Sequence, residues 1–282
     1  MRRQLDLELV RRGLAPTRER ARDDIEAGRV TVAGAPAQTP ARLVAPGEPL
    51  RVAGPPEPFV GRGGAKLAAA LERFSVAVEG REALDAGAST GGFTDCLLSR
   101  GAASVLAVDV GYGQLDARLR ADPRVTVVDR TNIRHASLGS LGRDGRPLEL
   151  VVADLSFISL RTVAAALVGL TAAGSDIVVL VKPQFETGRA EAAKGRGVIT
   201  DPAVWGAALD GVVAGFEQPW PAGPGVAMLA AMVSPLLGAS GNVEFLVHFG
   251  VGVTRQLGGV STDFGDLLGE AEAARLGRCR PA

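Results

Sequence analysis

Apolar positions along the first fifty residues switch from a helical to a strand period. Leu5, Leu7, Leu9 and Val10 fall among charged residues and stop at Gly13, which predicts a short amphipathic helix with a glycine end. After Pro16, Thr17 stands where a cap belongs, and Ala21 and Ile25 form an inward stripe ending near Gly28, so a second helix is predicted. Residues 29–34 then alternate as a strand does, and residues 43–44 and 50–52 read as further short strands between Pro and Gly turns. The run Gly54-Pro55-Pro56-Glu57-Pro58 has the composition of a stiff linker.

From residue 82 the pattern becomes strand, glycine turn, helix, strand. Ala83-Leu84 leads into Asp85-Ala86-Gly87-Ala88-Ser89-Thr90-Gly91-Gly92-Phe93, while residues 104–108, 125–128, 150–153 and 177–181 lead to Asp109, Asp129, Asp154 and Lys182. Alternating strands and helices predict an α/β fold with a parallel, Rossmann-like sheet, preceded by a small N-terminal α+β domain. In such a sheet the carboxyl ends of the strands line a ligand crevice, which gathers these polar residues from distant segments. Past about residue 250 the pattern allows either a final helix from residue 266 to 276 or a loose segment, with the last few residues frayed.

A chain of 282 residues suits one α/β domain plus a small appendage. Its apolar runs, such as residues 164–173 and 227–237, fall short of the ~18 residues of a membrane span. No apolar segment follows the arginine-rich start, so no secretory signal is expected and the setting is cytoplasmic. Cys96, Cys279, His135 and His248 lie far apart without metal-ligand spacing, and no metal is expected. The formal net charge of zero excludes a uniformly basic nucleic-acid binder. The charges are nevertheless segregated: residues 1–22 carry Arg2, Arg3, Arg11, Arg12, Arg18, Arg20 and Arg22, and acidic residues gather near the other end. RNA is expected at the basic end. Lysine occurs only at Lys66, Lys182 and Lys194 among 31 basic residues. Because arginine does not give up its proton and a buried lysine can, those lysines are candidates for proton chemistry.

The glycine turn allows close backbone approach to a ligand, and an acidic residue at Asp109 can hold ribose hydroxyls. Asp85 would repel a pyrophosphate but suits the sulfonium and ammonium groups of S-adenosylmethionine, so charge favours that cofactor over a nicotinamide dinucleotide. The candidate cofactor residues are Asp85, Gly87, Ser89, Thr90, Gly91, Gly92, Phe93 and Asp109, with Asp129 and Asp154 at neighbouring strand ends. The alternative is a tight turn with no ligand.

Two resemblances sharpen this picture. Leu5-Asp6, Arg11-Arg12-Gly13-Leu14-Ala15, Thr17-Arg18, Ala21, Ile25 and Gly28-Arg29-Val30-Thr31-Val32 resemble the S4 domain, an RNA-binding module; Ala33 departs from the asparagine of many relatives. The resemblance implies phosphate contacts from Arg3, Arg18, Arg22 and Arg29. Ser89-Thr90-Gly91-Gly92-Phe93, Asp154-Leu155-Ser156-Phe157, Lys182-Pro183-Gln184-Phe185-Glu186 and Ser234-Pro235 with Gly241-Asn242 and Glu244 are similar to the TlyA family, which joins an S4 domain to an FtsJ-like ribosomal RNA methyltransferase. The Lys-Asp-Lys-Glu tetrad of FtsJ-like enzymes falls on Lys66, Asp154, Lys182 and Glu244. The resemblance implies methylation of a ribose 2′-hydroxyl, of cytidine, in ribosomal RNA within ribosomal subunits. Lys182 is assigned as the base, Asp154 as its holder, Lys66 as the stabiliser of the developing alkoxide and Glu244 as an orienting group. Arg62 and Lys194, the latter in a polar loop, are added as candidate RNA contacts. The domain boundaries drawn are 1–53 for the S4-like domain, 54–61 for the linker, 62–250 for the methyltransferase and 251–282 for an extension. The competing readings are an RNA-binding protein without turnover and a membrane-active haemolysin.

Overall fold

The computed structural model describes residues 2–15, 17–53, 58–143, 145–188, 195, 197–220, 225–238, 241–253 and 264–277. Its contacts divide the chain into two compact units, residues 1–62 and 63–282.

The first unit contains β1 (Arg3–Gln4), α1 (Leu5–Arg11), α2 (Arg18–Glu26), β2 (Val30–Val32), β3 (Ala35–Pro36), β4 (Leu43–Val44) and β5 (Leu50–Val52). β2 lies between β3 and β5, and β1 pairs with β4. Leu5, Leu9, Ala21, Ile25, Val30, Val32 and Val44 form its core. Thr17 Oγ1 accepts from the Arg20 amide at 3.1 Å, satisfying one of the free donors at the start of α2. The β2–β3 turn places Ala33 at φ 51° and Gly34 at φ 84°. Paired positive φ angles favour Asn-Gly in a tight hairpin, so alanine sits there with some strain.

The second unit opens with α3 (Arg62–Arg73), of which only the first residue belongs to the first unit. Its elements are β6 (Glu82–Ala86), α4 (Gly92–Ser99), β7 (Ser104–Val108), α5 (Ala117–Arg120), β8 (Val125–Val128), a 3₁₀ turn at Ile133–His135, β9 (Leu148–Ala153), α6 (Leu160–Gly169), β10 (Thr171–Val181), α7 (Pro183–Glu186), α8 (Pro202–Glu217), β11 (Val226–Val233), β12 (Phe245–Val251) and α9 (Gly265–Arg275). The strands form a sheet in the order β11-β12-β10-β9-β6-β7-β8, in which β12 alone runs against its neighbours. Val151, Val179, Val181, Val247 and Phe249 on the sheet pack with Val163 and Leu167 of α6 and Trp205, Leu209 and Phe216 of α8. Strands covered on both faces have no polar side to alternate, which is why they read as continuous apolar runs.

Two features differ from the periodicity reading. β10 begins at Thr171 rather than 177, because Thr171 pairs with Leu148 ahead of an irregularity and Ser175 Oγ donates to the Leu148 carbonyl at 2.8 Å. Those polar residues break the apolar run without breaking the strand. Residues 227–237, which are unbroken by charge, supply most of β11, and β11 and β12 extend the sheet as an antiparallel pair.

Candidate active site

Register places the polar residues at one edge of the sheet. Ala86 pairs with both Val108 and Ala153, so the exits of β6, β7 and β9 lie side by side, and the Asp154 amide donates to the Ala86 carbonyl at 3.0 Å. Val181 pairs with Phe245. Lys182, leaving β10, and Glu244, entering the antiparallel β12, therefore meet at the same edge.

The four tetrad positions form two ion pairs. Lys182 Nζ lies 2.6 Å from Asp154 Oδ1 and donates to Ser156 Oγ at 2.9 Å. Lys66 Nζ lies 2.5 Å from Glu244 Oε2, with both side chains buried. α3 carries Lys66 to this edge: a Cβ on Gly63, one turn earlier, would lie 3.7 Å from Asp154 Oδ2. Gly238 is bare for a related reason, since a Cβ there would collide with Glu244 Oε1.

A cleft of about 500 Å³ opens between the exits of β6, β7, β8 and β9, lined by Gly87, Ser89, Asp109 and Asp154 among the sequence-predicted residues. This is a volume suited to a small-molecule ligand. Gly87 has φ 84°, and a Cβ on it would lie 2.5 Å from the Asp154 carbonyl oxygen, so β6 and β9 approach this closely only because the side chain is absent. Asp109 accepts from the Ser89 amide at 2.8 Å and the Gly111 amide at 2.6 Å, which fixes its carboxylate at the cleft wall. Asp85 is fully buried; Thr94 Oγ1 donates to its Oδ2 at 2.7 Å, and its Oδ1 has no hydrogen-bond partner. Burial, with the charges of Asp154 and Asp109 adding to it, pushes the Asp85 carboxyl up to about 7.

Asp85, Thr90, Gly91, Gly92, Phe93 and Asp129, the other candidate cofactor residues, are not among the residues lining the cleft. Gly91 caps α4, Gly92 and Phe93 begin that helix, and the Thr90 carbonyl accepts from the Asp116 amide. Asp129 takes the Arg120 guanidinium at 3.2 Å and the Gly113 amide at 3.3 Å, and it is not among the lining residues. Periodicity did not single out Val108, Val110, Gln114, Thr131, Asn132, Ile133 or the run Leu155 to Ile158, which line the rest. Val108 ends β7 and the others follow strand exits, so position at or after a strand was the available signal, with the family motif covering Leu155 to Phe157.

The candidate RNA contacts in the first unit are tied to acids. Arg18 and Arg22, both about half exposed, reach the buried Asp6 Oδ2 at 2.7 and 2.9 Å. Arg29 reaches Asp24 Oδ1 at 2.5 Å, and Arg62 lies 3.5 Å from Glu26 Oε2. Arg3 is exposed on β1. Lys194 and Cys279 lie outside the described residues. Cys96 and Trp205 are buried and His135 is exposed. Among the described residues, no helix is long and apolar enough to cross a membrane.

Comparison with known proteins agrees with this architecture. Residues 59–251 match the FtsJ-like methyltransferase model, and residues 3–50 match the S4 domain. The chain is 49% identical over 247 residues to the 16S/23S rRNA (cytidine-2′-O)-methyltransferase TlyA of Mycobacterium tuberculosis, covering 87% of this chain and 89% of that protein. It is 35% identical over 250 residues to Hemolysin A of Brachyspira hyodysenteriae, covering 87% of this chain and 98% of the relative. A solved Streptococcus thermophilus structure, described as a hemolysin, superposes with a TM-score of 0.76 at 33% identity and 99% coverage of both chains. With a matching S4 domain ahead of a matching FtsJ-like domain, and relatives this similar over nearly their whole length, the chain belongs to the TlyA family of FtsJ-like methyltransferases.

Proposed function

We propose that the protein transfers a methyl group from S-adenosylmethionine to the 2′-hydroxyl of a cytidine in ribosomal RNA, acting in the cytoplasm on ribosomal subunits. The observation that carries the reading is the pair of lysine–carboxylate contacts, Lys182 with Asp154 and Lys66 with Glu244, at the sheet edge where the cleft opens. The similarity to a TlyA enzyme that bears this activity in its name supports the choice of substrate.

The residues present fit the cofactor. Asp85 Oδ1, buried without a partner, suits a cationic group, Asp109 suits a ribose diol, and Gly87 leaves room for close approach. When bound, S-adenosylmethionine supplies an electrophilic methyl on a sulfonium. The remaining chemistry belongs to the chain. A ribose hydroxyl is a weak nucleophile at neutral pH and must lose its proton as it attacks. Lys182 takes that proton at Nζ, held in place by Asp154. Lys66, anchored by Glu244, stabilises the negative charge that develops on the oxygen. Arg18, Arg22, Arg29, Arg3, Arg62 and Lys194 contribute sequence-independent attraction to RNA phosphates. Arg18 and Arg22 share one carboxylate, that of Asp6, and both stay about half exposed.

Incubation of isolated ribosomal subunits with the protein and labelled S-adenosylmethionine, followed by nuclease digestion and nucleoside analysis, tests the reading. The expected product is 2′-O-methylcytidine. Label on a base, or none in either subunit, would overturn it.

A further inference from the structure

The loop that leaves β9 and the segment that leaves β10 are tied together at several points. Lys182 Nζ donates to Ser156 Oγ at 2.9 Å. The rings of Phe157 and Phe185 lie 5.1 Å apart. Glu186 accepts from Ser159 Oγ at 2.6 Å and from the Leu160 amide at 2.8 Å. Between these ties Phe157 holds φ 64°, a left-handed conformation that bulky residues rarely adopt. Such strain costs about 1–3 kcal/mol and persists only where surrounding contacts enforce it. Ser156 lies on the cleft wall between these ties.

Two oxygens meet the Lys182 nitrogen, and they act differently. Asp154 Oδ1 lies 2.6 Å away and, as a charged acceptor, draws one N–H bond of the amine toward itself. That contact fixes one N–H position and leaves the second N–H and the lone pair free to exchange places. The second N–H position is set by Ser156 Oγ, a neutral acceptor at 2.9 Å. We infer that Ser156 is a positioning residue for methyl transfer, setting the rotation of the Lys182 amine so that its lone pair faces the substrate hydroxyl. This rests on the reading of Lys182 as the base.

The proton balance follows from that role. Once the ammonium has given one proton to solvent, Lys182 keeps two N–H bonds, and one of them stays on Ser156 Oγ. The hydroxyl O–H bond breaks as a third N–H bond forms, giving an ammonium beside Asp154, and the proton then leaves to solvent. Ser156 Oγ accepts from Lys182 in both states and is neither consumed nor charged. Without it, the second N–H and the lone pair exchange between the two staggered positions that Asp154 leaves open, and the base is aimed correctly for only part of the time.

The test compares the unaltered protein, Ser156→Ala and Ser156→Thr on ribosomal subunits, with cofactor affinity measured separately. Ser156→Ala is expected to lower kcat by about 10–100-fold, as misplaced catalytic groups do, with KM for RNA and cofactor Kd held within about twofold. Ser156→Thr keeps the hydroxyl and is expected to recover most of the rate, which also covers an alanine variant that folds poorly. An alanine variant with unchanged kcat, a loss confined to KM or cofactor Kd, or a threonine variant as slow as alanine would each overturn the inference. If the unaltered protein forms no 2′-O-methyl product, the functional reading falls and takes this inference with it. A normally active protein paired with an undiminished alanine variant removes this inference alone.

Discussion

Asp85→Asn separates the stability of the protein from its use of the cofactor. The Asp85 carboxyl is raised from an ordinary 3.8 to about 7, first by burial and then by the neighbouring charges of Asp154 and Asp109. The folded state therefore binds this proton more tightly than the unfolded chain does. The associated stability is complete below the unfolded value near 3.8, declines as pH rises, and is gone above about 7. The shift corresponds to about 4 kcal/mol at neutral pH and above. Asparagine removes the charge and can still accept from Thr94, but its amide nitrogen takes the place of the partnerless Oδ1 and costs about 1–3 kcal/mol. Near pH 8 the variant without cofactor is thus expected to be more stable by about 1–3 kcal/mol, or about 2–12 °C in Tm, with most of that gain gone near pH 5. The cofactor behaves oppositely. At a hundredfold excess over Kd it stabilises the unaltered protein by about 2.7 kcal/mol, and the variant should show little of this. Urea and thermal melts at both pH values, with and without S-adenosylmethionine, read out both effects. A variant no more stable than the unaltered protein near pH 8, or one stabilised equally by the cofactor, would refute the reasoning.

Glu244→Ala strands the buried Lys66 ammonium and is expected to destabilise the protein by about 3–5 kcal/mol in urea melts, whereas replacing Lys66 and Glu244 together by methionine and leucine should restore much of that loss while leaving the protein inactive. Gly87→Ala combines a positive φ with a clash against the Asp154 carbonyl, so a loss of at least about 1–2 kcal/mol in the same melts and weaker cofactor binding by calorimetry are expected. Arg18→Ala removes one cation from the Asp6 pair, and RNA binding should weaken with a salt slope shallower by about 0.7–0.9; an unchanged slope counts against that contact.

The sheet was legible because a buried parallel strand leaves an apolar run that stops at its polar exit. Residues 104–108 and 125–128 are strands with those same limits. Thr171 to Asp176 escaped because a strand can carry polar residues where its neighbour's carbonyls need donors, as Ser175 does for Leu148. The candidate site was legible where chemistry demands a rare residue, as with Lys66 and Lys182 in a chain otherwise rich in arginine. Ser156 and Phe157 stood out only as part of a family motif, since their contacts depend on a left-handed backbone and on cross-ties to a segment nearly thirty residues later. Asp6 was equally hidden. An acid in a basic helix pair looks like charge balance, and only the fold brings Arg18 and Arg22 to one oxygen.

The base assignment is tested most directly by Lys182→Ala, assayed side by side for cofactor binding by calorimetry and for transfer of labelled methyl to ribosomal subunits. Near-normal affinity for S-adenosylmethionine together with loss of 2′-O-methylcytidine is the predicted outcome. A variant that binds the cofactor and still methylates the ribose at the full rate would contradict it.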